Sequence, residues 1–442
     1  MLATSEIIQA AAQTNRINRL WPRWREVPLY HATLTTPHPT LPELPIITKR
    51  EMRAGFPKNF LPERLSLDDL VSRRVVELEY TSGTSEERLP VIMPLGWWNE
   101  QEARALRLNH FVARVLEQQP HARRATLTPP ACNGLTCPTV WASPAERTLG
   151  NTLYLNLARI PFTLDETELQ RMAQEALDWQ PQFLDLDPVH GLWFALFCER
   201  AGLRLLSVQF ILCSYEFVSV VHRRILQRVF GVPVFNLYGS TETGHLLMED
   251  ESGAMKPSYE TAFLEVMEPD ASGIGPLLVT TLSNDYMPLL RYRIGDLVRR
   301  HERAYGTDYT VHGRIRDALT AADGRRVTTW QVDQCLRDVG GLAHYQLRQT
   351  DAAQFDLRYI ADAQGPSAAD QATIATRLKA LLGVPVKMTA VPLLLPEASG
   401  KFRLTHRVTT PDHATMGETT ETLHKKQGCK EEANGGTGSV AP

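Results

Sequence analysis

A loop at residues 81–90 carries residue types that bind phosphate groups. It begins with the letters TSGT, and hydroxyl groups beside a glycine suit an anionic phosphate chain because side chains and backbone N–H groups both donate hydrogen bonds. It continues with EER at residues 86–88, where a nucleotide-binding loop is expected to supply glycine and lysine. The loop alone therefore leaves open a working ATP site, a modified one or an ordinary polar turn.

Further short motifs follow along the chain, and each has a plain structural interpretation when taken alone. YGSTETG at 238–244 could be a turn at a strand end, and RYRIGDL at 291–297 could be a hairpin with Gly295-Asp296 at its tip. GRIRD at 313–317 could be a surface Gly-Arg pair, and SGKFR at 399–403 could be a flexible loop.

The elements that must position these motifs alternate between strand-like and helix-like patterns over residues 66–239. This rhythm predicts an α/β domain with partly parallel sheets. We expect strands at 75–80, 207–213 and 232–239, and helices at 1–21, 99–118, 161–179 and 214–231.

The pattern changes to successive strands around 261–311, which predicts a β-rich subdomain. After Gly313, helical patterns at 330–339 and 375–383 mix with strands at 344–350, 355–361 and 385–391, which predicts a small α+β unit. Residues 410–442 are polar with few apolar side chains, so a disordered tail is expected. The predicted fold class is α/β with a small α+β C-terminal domain.

Composition excludes several classes of protein. With 442 residues, 43% hydrophobic content and a formal net charge of −3, the chain has neither a nucleic-acid footprint nor the charge of an anionic-membrane binder. No run of about 18 apolar residues suggests a membrane span, and no secretory signal pattern opens the chain. We expect a cytoplasmic enzyme.

Six cysteines in a chain of this length do not form a disulfide framework. Cys132 and Cys137 could form half of a metal site, but no second close Cys/His pair completes it, and buried or loop thiols are the favoured interpretation.

The order TSGTS, YGSTE, RYRIGDL, GRIRD and SGK resembles the adenylate-forming superfamily of acyl-CoA synthetases, adenylation domains and luciferases. Within it, LPIITKREMRAGFP at 44–57 and FGVPVFNLYGSTE at 230–242 resemble the phenylacetate-CoA ligase branch. The resemblance covers about residues 35–407. It implies a large ATP- and acid-binding domain at 35–314, a hinge at 315–317 (Arg316 and Asp317) and a small mobile domain at 318–409. The N-terminal helical segment at 1–34, expected from its amphipathic pattern, lies outside the resemblance.

The resemblance also implies roles for individual residues. Lys401 would bridge the acid and the α-phosphate during adenylation, Thr241 would lie near the α-phosphate, and Glu242 would hold Mg²⁺, a cation that prefers carboxylate oxygen. Asp296 and Arg314 would contact the ribose. The phosphate-binding residues would be Thr81, Ser82, Gly83, Thr84 and Arg88, and the adenine would lie against Ser214, Tyr215, Glu216, Tyr238, Gly239 and Ser240.

The phosphate loop departs from the pattern of the resembled family. Arg88 can replace the missing lysine because a guanidinium binds phosphate well, while Glu86 and Glu87 add negative charge beside the expected pyrophosphate. We expect a modified but working loop.

The acid is expected beside Tyr238 and His245, with Trp141, Phe183 and Tyr238 supplying an aromatic lining that favours an aryl or medium acyl acid. His245 could equally cap the turn, and for Phe183 a core position is the favoured interpretation.

The hypotheses for function share ATP and Mg²⁺ and differ in the acceptor. The first is an acid–CoA ligase that uses coenzyme A; the second loads a phosphopantetheinyl carrier protein or an amine. The third is a non-catalytic nucleotide-binding relative, against which the presence of Glu242, Asp296 and Lys401 argues. A homodimer is one possible oligomeric state.

Overall fold

A computed structural model of the chain describes residues 2–31, 39–81, 88–128, 143–155, 165–304, 306–397 and 400–408, with side chains from residue 13 onward. None of the helices in these ranges is long and apolar enough to cross a lipid bilayer. The predicted tail at 410–442 lies outside the described residues. The helices are α1 (Leu2–Trp24), α2 (Lys49–Arg53), α3 (Leu67–Ser72), α4 (Trp97–Leu106), α5 (His110–Gln118), α6 (Glu166–Trp179), α7 (Pro188–Arg200), α8 (Val220–Phe230), α9 (Thr329–Gln334) and α10 (Ala368–Leu382).

The strands form two main sheets and two short hairpins within the described residues. In chain order they are β1 (Val76–Tyr80), β2 (Pro90–Pro94), β3 (Arg124–Leu127), β4 (Thr148–Leu149), β5 (Thr152–Tyr154), β6 (Phe183–Leu186), β7 (Phe210–Cys213), β8 (Val234–Ser240), β9 (Gly244–Glu249), β10 (Met255–Pro257), β11 (Ala262–Val266), β12 (Ile274–Thr281), β13 (Tyr292–Arg303), β14 (Gly306–Arg314), β15 (Leu319–Thr320), β16 (Arg326–Val327), β17 (Leu342–Asp351), β18 (Gln354–Ala361), β19 (Lys387–Ala390) and β20 (Thr405–Arg407).

The larger sheet is mixed. Twelve of the described strands lie in the order β11-β12-β13-β14-β10-β9-β8-β7-β6-β3-β5-β4. Strands β5, β3, β6, β7 and β8 run parallel, whereas β9 to β14 pair antiparallel, so β8 joins the two halves. Every residue of β6 and β7 is buried, because helices cover the parallel half of the sheet. This burial explains why these strands consist mostly of apolar residues.

The α/β fold class is confirmed. The strands predicted as a β-rich subdomain are present, and they extend the same sheet as the parallel half. RYRIGDL is not a hairpin, because Gly295 and Asp296 lie inside the continuous strand β13.

Two predicted helices differ from the structure. The region 99–118 contains two helices, because Asn109 lies between them and caps α5: its Oδ1 accepts a hydrogen bond from Val112 N at 2.9 Å. The helix predicted at 214–231 begins only at Val220. Ser219 caps it by accepting from Val221 N, and Tyr215 has φ of 72°, which a helix does not allow.

A second sheet, with α9 and α10, forms what we call the C-terminal unit. Its described strands have the order β19-β18-β17-β20, and its apolar core includes Leu336, Leu347 and Leu378. The predicted small α+β unit is therefore present. Helix α8 of the larger unit packs against it, since Val221 belongs to the same apolar cluster.

Two buried histidines meet at this contact between the units. His222 Nε2 on α8 lies 2.9 Å from His344 Nδ1 on β17, and the two rings stack with centroids 5.1 Å apart. Burial lowers the pKa of His222 to about 4 despite the attraction of Asp187, and burial next to His222 puts the pKa of His344 well below its usual value. The contact therefore requires neutral rings.

We expect the pH dependence of stability to report this pair. Because the folded pKa of His222 lies below 6.5, the unfolded chain binds a proton that the folded chain does not, so stability is lost as pH falls from about 6.5 toward 4. Each such proton contributes a slope of about 1.4 kcal/mol per pH unit. The variant His222→Gln should therefore lose less thermal stability than the parent between pH 7 and pH 5.

The comparison isolates the pair, because buried carboxyl groups with raised pKa values, such as Asp333, contribute equally to both chains. The exposed His110 supplies the control variant, His110→Gln, which should follow the parent. Identical pH profiles for His222→Gln and the parent would contradict the assignment.

Candidate active site

A cavity of about 1380 Å³ opens between the large sheet and the C-terminal unit. Its walls come from the ends of β8, β13 and β14, from helix α2 and from the loop before β20. Most of the described residues that the sequence assigned to an active site line it. They are Thr81, Tyr215, Glu216, Tyr238, Gly239, Ser240, Thr241, Glu242, Asp296, Arg314, Arg316, Asp317 and Lys401.

Asp296 is a buried carboxylate held by two partners. Its Oδ1 lies 2.9 Å from Arg314 Nε, and its Oδ2 accepts a hydrogen bond from the Tyr238 hydroxyl at 2.6 Å. Asp296 raises the pKa of Arg314, and burial followed by this carboxylate raises the pKa of Tyr238, so both stay donors. A carboxylate accepts up to about four hydrogen bonds, which leaves capacity for hydroxyl groups of a ligand.

Glu242 follows the end of β8 and is also buried. Its Oε1 accepts a hydrogen bond from the Tyr292 hydroxyl at 2.9 Å. Glycine is required three residues earlier, because a Cβ on Gly239 would lie 2.2 Å from the carbonyl oxygen of Gly244. The turn between β8 and β9 is therefore tight, and it presents Ser240, Thr241 and Glu242 to the cavity.

These contacts show that the sheet curls around the cavity. Strands β8 and β13 are separated by β9, β10 and β14, a distance of about 19 Å in a flat sheet at roughly 4.8 Å per step. Yet Tyr238 of β8 bonds to Asp296 of β13, and Glu242 bonds to Tyr292. Side chains that are distant in the sheet order are thus brought to one wall.

The residues fit Mg²⁺ bound together with phosphates rather than a metal held by protein alone. Among the described residues, no group of three His, Cys, Asp or Glu side chains could hold a metal ion. Mg²⁺ commonly takes one or two carboxylates and completes its shell with water and substrate phosphates, and Glu242 at the cavity wall suits that arrangement. Cys132 and Cys137 lie outside the described residues.

Lys401 reaches across from the C-terminal unit to the larger unit. Its Nζ donates to the carbonyl oxygen of Tyr215 at 2.9 Å, and the next residue, Phe402, donates its N–H to Glu216 Oε1 at 2.8 Å. Burial raises the pKa of Glu216, opposed by Lys401. The loop that carries Lys401 is therefore docked on the segment that follows β7.

Tyr215 is held in a backbone conformation that aromatic residues rarely adopt, with φ of 72°. Its hydroxyl donates to Asp185 Oδ2 at 3.0 Å, and the Ser214 hydroxyl donates to Asp185 Oδ1 at 2.9 Å. Asp185 in turn lies 3.5 Å from Arg124, which pairs with Glu102 at 2.6 Å. This buried network fixes the carbonyl group that receives Lys401.

Arg316 and Asp317 form a 3₁₀ turn between β14 and β15. Arg316 Nη2 lies 2.9 Å from Glu397, and Asp317 Oδ1 accepts from Arg403 Nε at 2.6 Å. The connection between the two units is thus tied to the Lys401 loop on both sides.

A carboxylate of the C-terminal unit also caps a helix of the larger unit. Asp333 accepts hydrogen bonds from the Ser219 hydroxyl at 2.6 Å, from Val220 N at 3.0 Å and, within its own unit, from the Tyr345 hydroxyl at 2.9 Å. Burial raises the pKa of Asp333 to about 6, which these hydrogen bonds oppose. The contact fixes the orientation of the two units.

The predicted phosphate loop is described only at its ends. Thr81 is buried, and its Oγ1 accepts a hydrogen bond from Leu89 N at 3.0 Å, which closes the base of the loop between β1 and β2. Arg88 is exposed. Ser82, Gly83 and Thr84 lie outside the described residues.

The predicted acid pocket is only partly assembled. Phe183 does not line the cavity; its ring stacks on Phe210 at 4.9 Å in the core, which corrects its assignment to that pocket. The physical reason is that β6 is buried on both faces. His245 is buried beside Trp98 with ring centroids 4.5 Å apart, and burial lowers its pKa to about 4. Trp141 lies outside the described residues.

Sequence reasoning missed a group of basic residues on α2. Lys49, Arg50 and Arg53 line the same cavity, as does Thr48, which caps the helix. In the sequence, the segment that contains them shows only a resemblance to a family. The polar network of Asp185, Arg124 and Glu102 was also missed. Its residues are far apart in sequence, so no local motif indicates it.

The fold is that of adenylate-forming acyl-CoA ligases. The structure of a 2-hydroxyisobutyryl-CoA ligase in the postadenylation state matches with a TM-score of 0.66 and 16% identity, covering 95% of this chain and 92% of that one. An anthranilate CoA ligase in complex with anthranoyl-AMP matches with a TM-score of 0.52 and 15% identity, over 81% of this chain and 76% of that one. The fold that the resemblance implied is thus confirmed.

A sequence relative points to the branch within that fold. The chain is 27% identical over 219 residues to a phenylacetate-coenzyme A ligase of Thermus thermophilus. The match spans 45% of this chain and about half, 48%, of that relative. No protein-family profile matches the chain. The predicted similarity to phenylacetate-CoA ligases is confirmed over this region.

A further structure of the same ligase is also similar to the chain. The same 2-hydroxyisobutyryl-CoA ligase in its thioesterification state, with an acyl-AMP and CoA, matches with a TM-score of only 0.51 and 16% identity, over 91% of this chain and 90% of that one. The overall similarity to that structure is therefore lower than the similarity to the postadenylation-state structure.

We expect Asp333→Asn to loosen the contact between the units, because the amide loses the charged acceptor for Ser219 and Val220. Small-angle X-ray scattering should give a larger radius of gyration than for the parent chain. The matched control is Tyr345→Phe, which removes a hydrogen bond to the same carboxylate but within the C-terminal unit. Equal radii for all these chains would contradict the assignment.

Proposed function

We propose that this chain activates a carboxylic acid with ATP as an acyl-adenylate and then transfers the acyl group to the thiol of coenzyme A, releasing AMP. The observation that carries the proposal is the convergence of Glu242, Asp296 and Lys401 on one cavity from three separate segments of the chain. The fold and the named activities of similar proteins support the same reaction.

In the first step, a carboxylate oxygen bonds to the α-phosphorus of ATP, the bond to the β-phosphate oxygen breaks, and pyrophosphate leaves with the electron pair. Negative charge spreads over the phosphoryl oxygens, so cations and hydrogen-bond donors at the site lower the barrier. Mg²⁺ bound at Glu242 would neutralise part of the phosphate charge.

The residues of this chain have separate tasks in that step. Asp296 and Arg314 bind the ribose, Tyr238 and the segment Ser214–Glu216 border the adenine, and Thr241 donates to the α-phosphate. Lys401 leaves the Tyr215 carbonyl and bonds to the reacting oxygens, where an ammonium group on a flexible stem provides a mobile point charge.

In the second step, the thiol loses its proton to solvent, its sulfur bonds to the acyl carbon, and the acyl–oxygen bond to AMP breaks. We propose that residues 318–409 rotate as a domain about Arg316 and Asp317 between the steps. Support comes from the hydrogen bonds across the contact between the units, to which Asp333, His222 and Lys401 each contribute. Hydrogen bonds to water can replace such contacts when the units separate.

The acid and the acceptor define the remaining choices. We propose an aryl or medium acyl acid and coenzyme A, in a cytoplasmic enzyme of the AMP-forming ligase type. The second candidate acceptor is the phosphopantetheine of a carrier protein, or an amine. Thioester formation with free CoA distinguishes them: acylation of a carrier protein only, with CoA inert, would replace the first acceptor by the second.

The first test is acid-dependent release of pyrophosphate from ATP and Mg²⁺ across aryl, aliphatic and amino acids, without CoA. We expect release with one class of acid, which identifies the substrate class. If no acid gives release and calorimetry detects no ATP binding, the proposal fails.

The variant Lys401→Ala should separate the two steps. We expect adenylation to fall by about a hundredfold or more, as with loss of a group that acts in the transition state, while thioester formation from supplied acyl-adenylate stays near the parent rate. The control is Lys387→Ala, at an exposed lysine of β19, which should retain both steps. Equal loss in both steps would contradict the role of Lys401.

A further inference from the structure

The phosphate loop of this chain has an electrostatic deficit. Residues 79–87 contain three glutamates and no lysine or arginine, and the first basic residue, Arg88, is exposed. A site for the triphosphate of ATP, as the proposed function requires, needs positive charge near the β- and γ-phosphates. That charge must therefore come mainly from another part of the chain.

Helix α2 is fixed against the wall that contains Glu242 and Asp296. Ile47, two residues before the helix, forms a bridge with Tyr292, and its carbonyl oxygen accepts from Arg293 N at 2.9 Å. Arg291 Nη1 donates to the carbonyl oxygens of Pro42 at 2.8 Å and Leu44 at 3.2 Å. Tyr292 is the residue whose hydroxyl bonds to Glu242, so the segment before α2 is attached directly to the site.

Helix α2 is held in place by its cap and by its buried face. Thr48 caps it, with a reciprocal bond from Thr48 N to Glu51 Oε2 at 2.9 Å, and the fully buried Met52 anchors its other face. Asn59 donates to the carbonyl oxygens of Glu51 and Met52. Lys49, the first residue of the helix, is therefore presented at a defined place.

Lys49 is a half-buried cation on the cavity wall, together with Thr81 at the base of the phosphate loop. Glu242 and then Asp296 attract it, whereas Arg314 and Arg53 repel it. Burial is the largest effect and lowers the pKa of Lys49. Over the described residues, no carboxylate forms a salt bridge with its ammonium group. A desolvated cation without an ion-pair partner gains most from an incoming anion.

We propose that Lys49 binds the β- and γ-phosphates of ATP and supplies the positive charge that residues 79–87 of the phosphate loop lack. Arg53 lies four residues later, so it shares a helix face with Lys49, and it lines the same cavity. Lys49 and Arg53 thus take the place of a lysine in the loop. They lie on a helix that ends about 30 residues before Ser82 in the sequence. This inference rests on the proposed function, since it presumes that ATP occupies the cavity.

Calorimetry with two nucleotides tests the inference, because AMP lacks the phosphates that Lys49 is assigned to bind. For Lys49→Gln, which keeps most of the side-chain length and removes the charge, we expect the dissociation constant for ATP with Mg²⁺ to rise about tenfold or more. The constant for AMP should stay within about twofold of the parent value. The binding of inorganic pyrophosphate with Mg²⁺ to Lys49→Gln should weaken together with the binding of ATP.

The matched control is Lys58→Gln, at an exposed lysine in the same segment that does not line the cavity. It should bind both nucleotides as the parent does. Lys49→Arg, which keeps the charge, should bind ATP more tightly than Lys49→Gln and shows whether charge is what matters.

The outcomes separate this inference from the proposed function. If the parent binds neither ATP nor AMP, the proposed function fails and the inference fails with it. If the parent binds ATP but Lys49→Gln retains its affinity, or loses ATP and AMP affinity equally, the proposed function stands and the assignment of Lys49 is wrong.

Discussion

The curl of the large sheet around one wall is the constraint on which the site depends. Two hydrogen bonds show this curl, one from Tyr238 to Asp296 and one from Tyr292 to Glu242. Each joins the β8–β9 region to β13, although three strands separate them in the sheet order. Because both acceptors are buried carboxylates, loss of either hydroxyl donor removes a hydrogen bond from a buried group, so these bonds define the wall as well as close it.

Beside the apolar packing of Val221 against the C-terminal unit, the two units are joined by polar contacts of three kinds. Lys401 donates a hydrogen bond to a backbone carbonyl, Asp333 accepts hydrogen bonds from the start of α8, and His222 and His344 bond to each other. A purely apolar contact of the same extent would be hard to reverse, since separation would expose apolar surface to water. Polar groups that water can satisfy suit an interface that opens and closes during a reaction.

Much of the site was readable from sequence because its residues lie in contiguous motifs. Thr241 and Glu242, Asp296, Arg314 and Lys401 were all assigned to one site, and all line one cavity. The altered phosphate loop was also visible, as was the absence of a lysine in it. The sequence offered Arg88 as a replacement for that lysine but did not indicate Lys49, the cation that we propose. Lys49 belongs to a segment whose distance from Glu242 depends on the pairing of Ile47 with Tyr292.

The errors have the same physical origin. Phe183 was a candidate for the acid pocket, although a core position was favoured, and the register of β6 and the packing of Phe210 place it in the core. The helix predicted from Ser214 failed because Tyr215 takes a left-handed conformation, held by the distant Asp185. A local helical pattern does not contain that information.

The sequence by itself determined the α/β class, the order of the motifs and the identity of the chemical groups, since these depend on local periodicity and on residues within one motif. Only the tertiary structure decided which groups share a wall, which cation faces the cavity from α2 and how Lys401 is docked. The physical reason is that the curl of the sheet and the contact between the units are set by pairings between residues far apart in the chain, and no local pattern records them.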